Sequence, residues 1–120
     1  HPTEIESVSD TINNNYKNKS TAVIFQPHLF SRTRDFMEDF AIVLSKFDEV
    51  YLLDIYPARE EPIDGVNSQV LLEKISSAKK EIISKESIND IVINSNTEVI
   101  SILGAGNITE NLNKKIFANE

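Results

Sequence analysis

The chain has 120 residues, 40% of them hydrophobic and 26% charged, enough for one domain with its own core and typical of an ordinary globular protein. Nineteen acidic residues against twelve basic ones leave a net charge of -7, which argues against a nucleic-acid footprint and against adsorption to anionic membranes. There is no cysteine, so disulfides, thiolate metal sites and a cysteine nucleophile are excluded. The chain starts at His1 and not at Met, and is expected to be a piece of something longer. It shows no signal-peptide pattern and no long apolar run, and nothing contradicts a cytoplasmic location.

Helical and strand patterns alternate along the chain. Ile5, Val8, Ile12 and Tyr16 fall on one helix face, Pro2 suits a first helical turn, and the Asn-rich stretch after residue 12 ends the helix near residue 16. Thr21 to Gln26 reads as a strand. A second helix is expected from about Asp35, because Phe36, Phe40, Val43, Leu44 and Phe47 recur at i, i+4, i+7, i+8 and i+11. Glu49 to Asp54 is a continuous apolar run of the kind buried on both faces of a parallel sheet. A loop with two prolines and a glycine, Tyr56 to Gly65, leads to a helix capped by Asn67 or Ser68, with Leu71, Leu72 and Ile75 inward. Glu81 to Ser84 reads as a short strand. Ser87 is expected to cap a short helix that turns Ile88, Ile91 and Val92 inward. Glu98 to Leu103 is a strand running into Gly104-Ala-Gly106, and Asn107 and Glu110 form a variant capping box for a last helix with Ile108, Leu112 and Ile116 buried. This β-α alternation implies an α/β fold, a mostly parallel sheet with helices on both faces.

The segment Phe25-Gln-Pro-His-Leu-Phe-Ser-Arg-Thr-Arg34 carries the most chemistry. A strand delivers a Pro-kinked loop that brings His28, Arg32 and Arg34 to the start of a helix. Ligands gather where strand carboxyl ends meet helix N-termini, and a helix N-terminus favours anions. Two guanidiniums there suit a carboxylate or phosphate; the bland alternative is that they only solvate the helix start. His28, after Pro27, can anchor the loop through hydrogen bonds to backbone. Asp54 ends its strand at the same sheet edge and can orient an arginine or cap the turn. Glu60 and Glu61 read as solvated loop charges, and Phe36, Phe40 and Phe47 as core.

Gly104-Ala-Gly106 opens a helix after a strand, as a dinucleotide fingerprint does. Thr109 stands where the third glycine belongs, so the pair reads as a tight turn that lets backbone approach something closely. There is no Gly-x-x-x-x-Gly-Lys-Ser/Thr phosphate loop. Neither histidine has a ligand at helical spacing, so no metal site is assigned. No Ser/His/Asp order or carboxylate pair stands out, and no catalytic residue is assigned. The residues alone describe an α/β domain with an anion-facing arginine loop, part of a larger binding site.

Four ordered stretches then carry a resemblance. Phe25-Gln-Pro-His-Leu-Phe-Ser-Arg-Thr-Arg-Asp35 resembles the hallmark segment of the alanine-adding branch of the ATP-dependent Mur ligases of peptidoglycan synthesis. His1-Pro-Thr-Glu4 resembles the end of that family's Asp-Tyr-Gly-His-His-Pro-Thr-Glu motif. Leu53-Asp-Ile-Tyr-Pro-Ala-Arg-Glu-Glu-Pro-Ile63 resembles its Asp-(Ile/Val)-Tyr-Pro-Ala-Gly-Glu-Glu-Pro-Ile loop. Gly104-Ala-Gly-Asn-Ile108 resembles its late Gly-Ala-Gly-Asn/Asp-Ile turn. Two positions depart: Leu29 stands where many relatives have Arg, and Arg59 where Gly is usual.

The resemblance implies that residues 1–120 form the third, Rossmann-like, three-layer domain of a three-domain enzyme. It implies an ATP-dependent ligase joining L-alanine to UDP-N-acetylmuramate through an acyl phosphate that the alanine amine attacks. Arg32 matches the family arginine that holds the alanine carboxylate, with Arg34 as a second candidate. His1, His28, Asp54 and Tyr56 would shape the site, and Gly104 and Gly106 would form the close-approach turn. ATP and Mg2+ would be held mainly by the central domain, with none expected in this fragment, which alone should be inactive. The implied partners are L-alanine, UDP-N-acetylmuramate, ATP and the N-terminal and central domains of the same chain. No nucleic acid or membrane is implied, and the location is the bacterial cytoplasm. A related ligase adding a preformed peptide, and a stand-alone anion-binding module, are the alternatives.

Overall fold

A computed structural model describes residues 1–104; the expected last helix, Gly106 and the capping pair Asn107 and Glu110 lie outside the described residues. The elements are α1 (Pro2–Asn15), β1 (Thr21–Phe25), α2 (Phe30–Asp35), α3 (Met37–Leu44), β2 (Glu49–Leu52), α4 (Ser68–Glu73), β3 (Lys79–Ile82), α5 (Ile88–Asn94) and β4 (Val99–Leu103), with a single 3₁₀ turn at Lys85–Ser87. Among the described residues, four strands make one parallel sheet in the order β3-β2-β1-β4. The α/β architecture expected from the β-α alternation is therefore present.

β1 lies inside the sheet and every one of its residues is buried. Its side chains alternate between two apolar layers. Val23 and Phe25 pack with Val50 and Leu52 against Ile5 and Ile12 of α1, Phe40 and Leu44 of α3 and Leu71 of α4. Ala22 and Ile24 face the other way with Tyr51 and Leu53, against Ile88 of α5. Helices thus cover both faces, which is why β1 and β2 read as unbroken apolar runs. Polar side chains bind the amino ends of the strands together. Asp48 Oδ2 accepts from Thr21 N at 2.8 Å, and Glu98 Oε1 accepts from Ser20 N at 3.2 Å while Glu98 N donates to Ser20 Oγ at 2.9 Å.

Three local readings change. The strand expected at Glu81–Ser84 lies two residues earlier: Lys79, Lys80 and Glu81 form the exposed part of an edge strand, paired to Glu49, Val50 and Tyr51 through backbone alone. An edge strand does not need apolar residues on both faces, and charge there blunts unwanted pairing. Ser87 precedes α5 as expected, but its hydroxyl does not cap the helix; it meets Ser84 Oγ at 2.9 Å. The third change lies in the arginine segment. Arg32 and Arg34 are not in a loop before a helix but in the last turn of α2, and the chain breaks at Phe36 (φ -115°, ψ 18°) before α3 begins.

Candidate functional site

The strand order places the site. From β1 the chain moves outward to β2 and β3, then returns to lay β4 on the other side of β1. The connections therefore diverge at the carboxyl ends of β1 and β4, the topological switch point where open α/β sheets bind ligands. A cavity of ≈ 500 Å³ opens there, between Phe25 and Gln26 at the end of β1 and Ile102, Leu103 and Gly104 at the end of β4. Gln26 N donates to Leu103 O at 3.0 Å and ties the two strand ends together.

One wall of the cavity is apolar, built from Ile5, Val8, Phe25, Phe40 and Leu103. Phe25 and Phe40 meet as tilted rings with centroids 5.4 Å apart. The polar end is formed by His1, Glu4, Gln26, His28 and Arg32. Arg32 is exposed, and among the described residues its guanidinium has no hydrogen-bond or ion-pair partner. Its five guanidinium N–H groups are thus free to grip a carboxylate in a bidentate fork.

The other candidates fall into place around it. His1 caps α1, its Nδ1 accepting from Thr3 N at 3.3 Å, and its ring lies 4.7 Å from that of Phe36. His28 packs nearly parallel to Tyr56, with ring centroids 5.8 Å apart. The loop is anchored by backbone rather than by the imidazole: Tyr56 N donates to Pro27 O and Leu29 N to Tyr56 O, both at 2.9 Å. Tyr56 does not line the cavity; it stacks on His28, which does. Asp54 does not orient an arginine. Its carbonyl accepts from Gln26 Nε2 at 3.2 Å, and among the described residues its exposed carboxylate has no ion pair. Arg34 does not line the cavity either; its Nε donates to Asp35 Oδ1 at 2.9 Å on the exposed surface. Of the two expected guanidiniums, the structure brings one to the cavity. Gly104 lines the rim, and Gly106 lies outside the described residues.

Two acidic residues were missed by the sequence reading. Glu4 lines the polar end of the cavity with Arg32. Glu60, expected to be a solvated loop charge, instead reaches the N-terminus of α2. Its Oε1 accepts from Ser31 N at 3.0 Å, and its Oε2 accepts from the Ser31 hydroxyl. These bonds, the hydroxyl first, and a further one from the Phe30 backbone hold the Glu60 carboxyl below the usual carboxylate range. Leu29, which precedes the helix at φ 71°, supplies no side-chain cap, so Glu60 takes that role from across the loop. The N-terminus of α2, a helix not expected from the sequence, thus meets the chain's own carboxylate.

Among the described residues no group of three or more His, Asp or Glu side chains is placed to hold a metal ion. The Phe30 and Ser31 amides at the start of α2 are taken by Glu60. Among the described residues no helix is long and apolar enough to cross a membrane.

No protein-family model matches the chain. Curated relatives do. The chain is 52% identical over 114 residues to the UDP-N-acetylmuramate–L-alanine ligase of Christiangramia forsetii, which covers 95% of this chain and 25% of that protein. It is 49% identical over 110 residues to the enzyme of the same name from Flavobacterium psychrophilum, covering 92% and 25%, and 47% identical over 110 residues to that of Flavobacterium johnsoniae, covering 92% and 24%. The chain spans about a quarter of the length of these relatives. At this identity over nearly its whole length, the chain is similar to a quarter-length segment of proteins named UDP-N-acetylmuramate–L-alanine ligase.

Proposed function

We propose that the chain is the C-terminal, amino-acid-binding domain of an ATP-dependent ligase that joins L-alanine to UDP-N-acetylmuramate, acting in the bacterial cytoplasm with the N-terminal and central domains of the same protein. The observation that carries this reading is the unpaired Arg32 guanidinium at the polar end of a cavity at the sheet's switch point. An amino acid is a zwitterion, and that end of the cavity offers both a cation, Arg32, and a carboxylate, Glu4. Arg32 would hold the alanine carboxylate through two parallel charge-assisted hydrogen bonds. That grip leaves the amine free and fixes its direction, which is the positioning an attack on an acyl phosphate requires. His28, propped by Tyr56, and His1, seated on Phe36, would bound the space around the bound amino acid. Arg34, paired with Asp35, stands as a second-rank candidate for the carboxylate. ATP and Mg2+ would be held by the central domain, and this chain alone would not turn over.

The test uses the full-length protein, with phosphate release followed in ATP, Mg2+, UDP-N-acetylmuramate and L-alanine. Arg32→Ala is expected to raise the KM for alanine by roughly 30-fold, the worth of a charge-assisted hydrogen-bonded pair, with the KM for ATP unchanged. An unchanged KM for alanine refutes the role of Arg32. A wild-type protein inert with alanine but active with a peptide replaces the substrate assignment.

A further inference from the structure

The helix that presents Arg32 cannot stand alone. α2 has six residues, far below the length at which an isolated helix persists in water. Its N-cap residue, Leu29, has a positive φ of 71° and offers no side-chain acceptor. Three things hold it. Thr33 is fully buried and its hydroxyl donates to Leu29 O at 2.8 Å. The loop after β2 runs beside the loop after β1 and is tied to it by the paired Pro27, Leu29 and Tyr56 backbone bonds. Glu60 then closes the first turn of α2 from the middle of that loop, with its two carboxylate oxygens on the Ser31 amide and hydroxyl. Arg32 is the next residue after Ser31. Its Cα position and the direction of its side chain are therefore set one residue away from the Glu60 contact.

We infer that Glu60 is a positioning residue for amino-acid binding: its carboxylate on Ser31 fixes the first turn of α2 and thereby aims Arg32 into the cavity. This rests on the reading that Arg32 holds the substrate carboxylate. Glu60 itself does not line the cavity and touches no reacting group. Its effect passes through Arg32, which a simple contribution to stability would not do. The Ser31 hydroxyl and amide hold the Glu60 carboxyl below its ordinary range, and it binds them as an anion at neutral pH.

The experiment is a double-mutant cycle in the full-length protein, with the KM for alanine and the KM for ATP measured separately. Glu60→Ala is expected to raise the KM for alanine roughly fivefold, the effect of removing a helix cap at the binding residue, and to leave the KM for ATP unchanged. In the Arg32→Ala background the same substitution is expected to change nothing further. Glu60→Gln, which keeps one acceptor for the Ser31 amide and the size of the side chain, should fall between wild type and alanine, and serves if Glu60→Ala does not fold. An equal rise in both KM values, or an undiminished effect in the Arg32→Ala background, overturns the inference. If the wild-type protein does not use alanine at all, the ligase reading fails, and amide exchange then decides the fate of Glu60. Faster exchange at Phe30 and Ser31 together with a shifted Arg32 Nε resonance in Glu60→Gln keeps its positioning role; unchanged signals remove it.

Discussion

Thr33 is the residue on which α2 turns, and its replacement gives a sharp test of how that helix is held. It is the one fully buried residue of α2, with 0% exposure. Its hydroxyl donates to Leu29 O at 2.8 Å, while its amide donates to the same carbonyl at 3.1 Å. Thr33→Val keeps the shape and removes the hydroxyl bond. The Leu29 carbonyl retains the amide, so it is not orphaned, and the cost should be that of one hydrogen bond plus a methyl pressed on an oxygen, about 1–2 kcal/mol. Thr33→Ser keeps the bond and removes one methyl group, about 1 kcal/mol. Thr33→Ala loses both, about 2–3 kcal/mol. A domain of this size loses about 4 °C in Tm for each kcal/mol, so the three variants should separate in a thermal melt of the chain, and a urea titration should show unchanged slopes with shifted midpoints. A Thr33→Val variant as stable as wild type refutes the reasoning: Thr33 would then be buried for its methyl group alone, and the Leu29 turn would be held by other contacts.

Two further outcomes are expected. Phe40→Ala removes a side chain that is 2% exposed, packs on Phe25 and walls the cavity, and should destabilise the chain by about 3–5 kcal/mol in a denaturant titration. The carboxyl groups of Glu60 and Glu98 are both held below their ordinary value, Glu60 chiefly by the Ser31 hydroxyl and Glu98 chiefly by the Ser20 backbone amide and then by Lys19. A lowered folded-state pKa stabilises the fold above the unfolded-state pKa, and that stability is lost as the pH falls through the folded value. Urea midpoints should therefore be flat near neutrality and fall below the ordinary carboxyl pKa of about 4.5, and the double variant Glu60→Gln, Glu98→Gln should show a shallower fall. An identical acid limb in wild type and double variant would refute the assignment.

The elements easiest to read in the sequence were those whose burial is one-sided or complete. The stripe Ile5, Val8, Ile12 marked α1, and the unbroken runs at Thr21 and Val50 marked β1 and β2, because packing against helices on both faces leaves a compositional trace. α2 left none. Of its six residues only Thr33 is buried, so no 3.6-residue apolar period exists to be seen, and the period that does exist begins at Phe36, where the chain breaks. β3 was misplaced for a related reason. An edge strand made of Lys79, Lys80 and Glu81 is held by backbone pairing, and the apolar signal at Ile82 and Ile83 pulls the expected strand toward them. Within the site, charge and position pointed to Arg32 and Arg34 alike and only the resemblance ranked Arg32 first; of the two, Arg32 lines the cavity. Glu60 was not legible, since its partner Ser31 is 29 residues away and no spacing rule connects a loop carboxylate to a helix start in another segment. Glu4 was hidden for a different reason: an acidic residue in the first turn of a helix is ordinary there, and only the tertiary fold shows that this one faces a cavity.

The pairing of β1 with β4 has a consequence for how the site comes into being. The first contact between these strands, Ser20 with Glu98, closes a span of 78 residues, whereas β1 and β2 are joined by a short helical excursion. Contacts of such separation form late in folding, and a chain emerging from the ribosome cannot make them until nearly all of its described length has been synthesised. Until then one edge of β1 is open and the cavity has no second wall. The cavity is thus completed only when the last described strand joins the sheet, and a nascent chain stalled before Val99 would carry Arg32 yet lack the wall that Ile102, Leu103 and Gly104 supply.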